Sequence, residues 1–428
     1  MPPSQWDRGG LSSGRVQGRD NWTDIEGDIL SGRTVVFAAG APTAWSADSA
    51  KFQQRAVERP ATEMTVRGPD EAFNEVLATQ IAQLRRVVQT PSLQVRTVSV
   101  GPTFGKVALV YLEGVANPVL VQNVWDRLAR VPGRTRAAAA SIAGVIRDEP
   151  LSIFPTIRNT ERVGLVAARL AEGKVAILVD GDPFALVAPS PIADFYRTEQ
   201  DYGGAWYDAS FVRLIRFVGW GVGVYLPALY VAATQVDPNV IPMSLLITIS
   251  GSRAGLPSSP LAGVLVMVLV LETLREAAFR LPKVLGTTIG TVGAIVVGTA
   301  IVSAGLVSPQ VIVVITLTAL SFYTAPVYEL TATWRVVNFA MLLAAAFLGI
   351  VGIVAVTMLL LVQLSAMTSF GVPYFAPWEP LRLSDWGDTI LRLPWTLLRR
   401  RLSGPLPVDP GWPPVPRMRV PRLRRAVR

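Results

Sequence analysis

Four ionisable residues, Glu272, Arg275, Glu276 and Arg280, follow directly on the apolar run Leu261 to Leu271. Glu272 with Arg275, and Glu276 with Arg280, have the spacings at which opposite charges neutralise one another on a helix face. Charges at membrane depth mark a functional site for coupling or assembly; the alternative is an interfacial helix whose charges lie among headgroups. Thr316, Thr318, Ser321 and Thr324 are hydroxyls in the apolar stretch that begins at Gln310. Hydroxyls there line a pore or bond carbonyls of their own helix, the commoner arrangement. Glu161, Asp180 and Asp182 are close in sequence, but carboxylates at a turn are usually solvated. With 0 Cys and 0 His, thiol chemistry, imidazole bases and the usual zinc sites are absent. No glycine loop of the phosphate-cradling kind occurs. The expectation is a protein that is not an enzyme and uses no cofactor or metal.

The elements that position these residues are apolar helices. The chain has 428 residues, 50% of them hydrophobic, with a mean hydropathy of +0.40. Val284 to Pro326 carries no charge, and Leu285 to Ala304 alone has the roughly 20 apolar residues that cross a bilayer. Gly286, Gly290, Ala294 and Gly298 recur every fourth residue, a smooth face for close helix packing. Phe217 to Ala233 is a first expected span, with Pro227 as its expected kink. Arg213 and Arg216 precede it and favour a cytoplasmic start. Gln310 to Ala325 and Asn338 to Leu364 complete four spans, with Tyr374, Trp378 and Trp386 as interfacial anchors. Four spans put both termini inside; counting Leu261 to Leu281 as a fifth would put the tail outside. The net charge of +9 belongs mainly to the tail, which includes the cluster Arg399 to Arg401 and reads as attracted to anionic lipid rather than to nucleic acid.

The first half is mixed. Residues 1–30 read as a disordered leader without a signal peptide, leaving the next domains in the cytoplasm. Two strand-turn-strand signals, from Gly32 and from Gly173, share a pattern, and Asp180-Gly181 suits a tight hairpin turn. Asp70 is the expected cap of a helix running to Val88, with Phe73, Leu77 and Leu84 on its buried face. Arg85 and Arg86 at its end read as surface charges. Strands are expected from Leu93 and from Lys106, then a helix from Pro118 to Arg130. Thr160 and Glu161 mark the expected start of another helix, which Gly173 ends.

Several strings together resemble the A subunit of GerA-type spore germinant receptors: VERPATEMTVRGPDEAF, FPTIRNTERVGLVAARLAEGKVAILVDGDPF, DFYRTEQDY, LETLREAAFRLPKVLG and SFGVPYFAP. The likeness runs from about Gly32 to Arg400. Val163 stands where the family has Pro, and Ala254 where it has Glu. The resemblance implies an α+β membrane protein: two α/β cytoplasmic subdomains (31–92 and 93–209), a polytopic helical transmembrane domain (210–370) and a basic cytoplasmic tail (371–428). It further implies a subunit of a nutrient receptor in the spore inner membrane, working with a transporter-like B subunit and a lipoprotein C subunit. Homo-oligomers of such a subunit would form a nutrient-gated ion channel. A secondary transporter and a non-conducting scaffold are the alternatives.

Overall fold

The computed structural model describes residues 16–30, 33–47, 60, 62–63, 68–100, 105–132, 138–280, 298–398 and 400–412. Strand β1 (Val16–Arg19), helix α1 (Trp22–Leu30) and strands β2 (Thr34–Val36) and β3 (Ala44–Ala47) open it. The strands pair antiparallel in the order β1-β3-β2. Asp28 ties α1 to them, accepting from Arg19 Nε at 2.7 Å and from Arg33 Nη1 at 3.2 Å. Residues 16–30 are therefore ordered structure rather than leader, because Ile25 is buried and Asp28 is paired.

Alternation with period two builds the larger sheet. The elements are α2 (Leu77–Val87), β4 (Leu93–Ser99), β5 (Lys106–Leu112), α3 (Pro118–Ala129), α4 (Ala139–Ile146), β6 (Arg158–Thr160), α5 (Val163–Ala171), β7 (Val175–Val179) and β8 (Ala185–Ala188). The sheet order is β4-β5-β7-β8-β6, with every neighbour antiparallel. Val107, Leu109, Val175 and Ile177 face one side, where α3 and α4 supply Val124, Leu128 and Ile142. Ala108, Val110, Ala176 and Leu178 face the other, against Leu84 of α2 and Val166 and Leu170 of α5. Successive strand residues point to opposite faces, so this head is a sheet between two helical layers. Helix α2 comes from the expected first subdomain, yet it shares a core with strands of the second.

Two helix starts differ from expectation. Helix α2 begins at Leu77 rather than at Asp70, because Phe73 is buried and its N–H bonds the Glu161 carbonyl at 2.8 Å, holding the chain extended. Asp180 Oδ1 accepts from the Leu77 N–H at 3.1 Å and caps the helix from a distant turn. Helix α5 begins after Arg162, and Thr160 belongs to β6. Its end follows the sequence: Gly173 has φ +92°, a left-handed conformation that favours glycine. The hairpin turn between β7 and β8 likewise has Gly181 at φ +86°.

The apolar half includes, among the described residues, α6 (Trp206–Val231), α7 (Met243–Arg253), α8 (Pro260–Arg280), α9 (Pro309–Tyr323) and α10 (Tyr328–Ala366). Among the described residues, two helical stretches are long and apolar enough to cross a membrane, Trp206–Val236 and Tyr328–Ala366; α9 is apolar but shorter. Helix α10 starts at Tyr328 rather than Asn338 and is two helices meeting at Gly349, whose φ 61° and ψ −140° are not helical. Most of the expected span Leu285 to Ala304, with Gly286, Gly290 and Ala294, lies outside the described residues. Gly298 is described and has open space where a Cβ would sit. After α10 the chain returns to the head through a small hairpin, β9 (Thr368–Ser369) with β10 (Val372–Pro373), and the short helix Trp386–Thr389. The described residues from 371 to 412 thus fold against the rest, since Tyr374, Asp385 and Arg392 are all buried.

Candidate functional site: an ion-pair network joining head and helices

The expected cluster on α8 is partly assembled. Glu272 accepts from Arg275 Nη1 at 2.8 and 2.9 Å, and its Oε2 also accepts from Arg335 Nη1 of α10 at 2.8 Å. Glu272 is therefore a bridge between two helices. Arg275 lies over the Tyr323 ring and Arg335 over Tyr328, both at 5.9 Å. Glu276 is exposed, and the side chain of Arg280 lies outside the described residues. Thr316 is exposed, while Thr318 is buried and donates to the Val314 carbonyl at 2.8 Å, within its own helix. Ser321 is half-buried, and its carbonyl accepts from Thr324 Oγ1 at 2.7 Å.

The close-packed glycine face that the structure describes is on α6. A Cβ on Gly219 would lie 2.4 Å from Thr324 Oγ1, and one on Gly223 3.0 Å from the Phe322 ring. Four-residue spacing lets α9 approach there. Pro227 lacks the N–H that would bond the Gly223 carbonyl. Asn338 of α10 supplies it, donating Nδ2 to the carbonyls of Gly223 at 3.0 Å and Val224 at 2.9 Å.

Deeper, a larger set of charges lies where α6 leaves the head. Arg213 and Arg216, expected as the charges that precede the first span and favour a cytoplasmic start, are buried, and Asp201 is the reason: it accepts from Arg213 Nε at 2.8 Å and Arg216 Nη1 at 2.9 Å. Asp388 of the returning segment accepts from Arg197 Nη2 at 2.6 Å, while its backbone carbonyl accepts from Arg213 Nη1 at 2.7 Å. Arg197 continues to Glu172 at 2.7 Å and Asp194 at 3.1 Å, and Lys174 closes on Asp194. The Tyr202 hydroxyl bonds Asp388 at 3.0 Å, and Arg392 lies 4.7 Å over its ring.

Burial alone would neutralise such carboxylates, but the surrounding cations win. Burial raises Glu172, yet Arg169, Arg197 and Lys174 hold it down at about 2. Burial likewise raises Asp194 and Asp201, and their neighbouring cations hold both below the usual range. Lys174 goes the other way: burial pulls it down to about 8 against the attraction of Asp194. Removing one member of such a set strands a buried charge, at a cost of about 3–5 kcal/mol. Head, α6 and returning segment are thereby fastened into one unit. Nothing in the spacing of these residues announces the set, although acids at 194, 201 and 388 within apolar or aromatic surroundings were a signal. Asp180 and Asp182 are not merely solvated: Asp180 caps α2, and Asp182 accepts from Ala139 N–H at 2.7 Å where α4 begins. Glu161 is buried. Among the described residues, no group of carboxylates is arranged to hold a metal ion.

The family model described as Bacillus/Clostridium GerA spore germination protein matches residues 5–403. The chain belongs to this GerA family. Among relatives of this GerA chain, spore germination protein GerLA of Bacillus cereus is 36% identical over 392 residues, covering 91% of this chain and 80% of the relative. Spore germination protein KA of Bacillus subtilis (strain 168) is 33% identical, covering 90% and 71%. The crystal structure of the N-terminal domain of the A subunit of the Bacillus megaterium spore germinant receptor GerK3 is similar at 31% identity and a TM-score of 0.30, covering 41% of this GerA chain and 63% of that one.

Proposed function

We propose that this chain is the non-enzymatic A subunit of a spore nutrient receptor. It spans the spore inner membrane several times with its head in the cytoplasm, works with a transporter-like B subunit and a lipoprotein C subunit, and oligomerises into a nutrient-gated ion channel. The observation that carries the reading is 36% identity to a spore germination protein across 91% of the chain. The apolar lengths of α6 and α10 support a membrane location, each at least as long as the roughly 30 Å hydrocarbon layer. The Asp201 and Asp388 network supports transmission, because a change in the head moves α6 with it.

The test is ion-flux recording on the purified chain in lipid vesicles, alone and with its B and C partners, with and without amino acids or sugars. Nutrient-dependent current that requires the partners is the expected result. Saturable solute uptake without current would replace this reading with a secondary transporter, and neither current nor uptake with a fully assembled complex would leave a scaffold.

A further inference from the structure

We propose that a cleft between the head and the turn joining α9 to α10 is a binding site for a small organic carboxylate, held by one edge of the Arg158 guanidinium. The proposal deepens the receptor reading and rests on it for its consequence in the spore. The cleft has a volume of about 200 Å³ and is lined by Glu63, Arg158, Arg162, Glu199, Arg216 and Thr324, among others. It shares Thr62, Glu63 and Pro326 with a second hollow of about 630 Å³. One wall is therefore the head and the other is the connection between two apolar helices.

Arg158 is 2% exposed. Its Nη1 donates to the carbonyls of Asp194 at 2.5 Å and Arg197 at 2.7 Å, which fixes the guanidinium plane. The opposite edge is buried and makes no hydrogen bond: Nε has no partner, and Nη2 is ion-paired with Glu63 Oε1 at 3.6 Å, too far for a hydrogen bond. Glu63 is held back by the Thr160 hydroxyl, which donates to its other oxygen. Nε and Nη2 together form the edge that binds a carboxylate through two parallel hydrogen bonds. A buried cation with that edge unfilled is a costly arrangement that a ligand would relieve.

The other arginines of the cleft are already engaged. Arg162 Nη1 pairs with Glu199 at 3.0 Å, and Arg216 Nη1 with Asp201 at 2.9 Å. Arg158 also faces a carboxylate, Glu63, but without a hydrogen bond, so among these three it is the one whose Nε and Nη2 are left to bond a ligand, which limits the cleft to one small anionic group. Planar, two-pronged recognition in a cavity of this size selects a carboxylate on a molecule of few heavy atoms.

Titration calorimetry on the full chain in detergent, with propionate, glycine, inorganic phosphate and methylammonium as probes, tests this. Propionate or glycine should bind and methylammonium should not. Tighter glycine marks a zwitterionic ligand, tighter propionate a simple acid, and both support the site. Arg158→Gln and Arg158→Lys should each weaken binding at least about tenfold, since neither offers the paired edge. Ala325→Phe, which puts a large side chain at a residue lining the cleft, should abolish it and decides the matter alone if the Arg158 variants do not fold. Absence of heat with both carboxylates, preference for phosphate, or unchanged binding in Ala325→Phe would overturn the proposal. Calorimetry reads binding only, so such a result leaves the channel reading to its own flux test.

Discussion

Two buried residues show how single side chains set the conditions under which this fold holds. Glu172 has an ordinary value of 4.5 and is held at about 2 in the folded chain by Arg169, Arg197 and Lys174, which outweigh the effect of burial. Because the folded state releases this proton more readily than the unfolded one, its contribution is complete above about pH 4.5 and is lost as pH falls toward 2. Circular dichroism melts of the detergent-solubilised chain should show the midpoint falling across that window, and Glu172→Gln should flatten the fall. An unchanged slope in the variant would remove Glu172 from the account. Asn338 is the second case. Asn338→Leu keeps the volume and removes the donor that Gly223 needs because Pro227 has none, so we expect a loss of about 1 kcal/mol, between the values for water-exposed folds and for helices in lipid. The same loss should vanish when Pro227 is also changed to Ala, which restores the missing N–H. Both halves of this pair were readable in the sequence, a proline in one apolar helix and an asparagine in another, but only packing shows that they meet.

Among the elements, α10 departs furthest from its sequence pattern. Its apolar residues continue through LGIVGIV without a gap, so periodicity gives one helix, and the break at Gly349 is set by Asp237. That carboxylate accepts from the Ile350 N–H at 2.8 Å, capping the second segment where the first ends. A Cβ on Gly349 would lie 2.0 Å from Asp237 Oδ2, in a conformation that side chains rarely adopt. Gly349→Ala should therefore either straighten the helix or destabilise it by about 1–3 kcal/mol, and germination rescued by this variant in a spore lacking the native subunit should fall sharply. Normal rescue would show that the break has no part in function. The α8 cluster was more legible: its pairs at three and four residues predicted Glu272 with Arg275, and that contact is present. Arg335 was missed because it lies in a different helix, in a stretch taken to precede the span. Glu272→Ala leaves Arg275 and Arg335 as facing cations and should loosen α8 from α10, whereas the double change with Arg335→Ala should recover part of the loss.

Over the whole molecule, the returning segment is what joins the parts. Alternating strands, the helix between Pro118 and the Arg130 region, and the glycine stops of the head were all visible as local patterns, because each depends on residues a few positions apart. The contacts that hold head to helices are separated by long stretches of chain, as with Asp388 and Arg197, and composition alone shows the last residues only as a basic tail. Arginines there that seemed to be surface charge are partly spent inside, Arg392 stacking over Tyr202 and Trp395 at 4.7 and 4.1 Å. Asp388 is the test of this joint, since it meets Arg197 of the head and Arg213 of α6 at once. Asp388→Asn preserves shape and removes the charge, leaving two buried guanidinium groups short of an anion, at a cost of about 3 kcal/mol. Limited proteolysis should then cut between Trp386 and Trp412 in the variant while sparing the same stretch in the native chain, with the sheet of the head still folded by circular dichroism. If the joint transmits a signal, nutrient-dependent flux should fall in that variant even where the complex assembles. Faster cleavage with undiminished flux would make Asp388 a structural clasp and move transmission to the other link between head and helices, through Phe154, Tyr196 and Trp334.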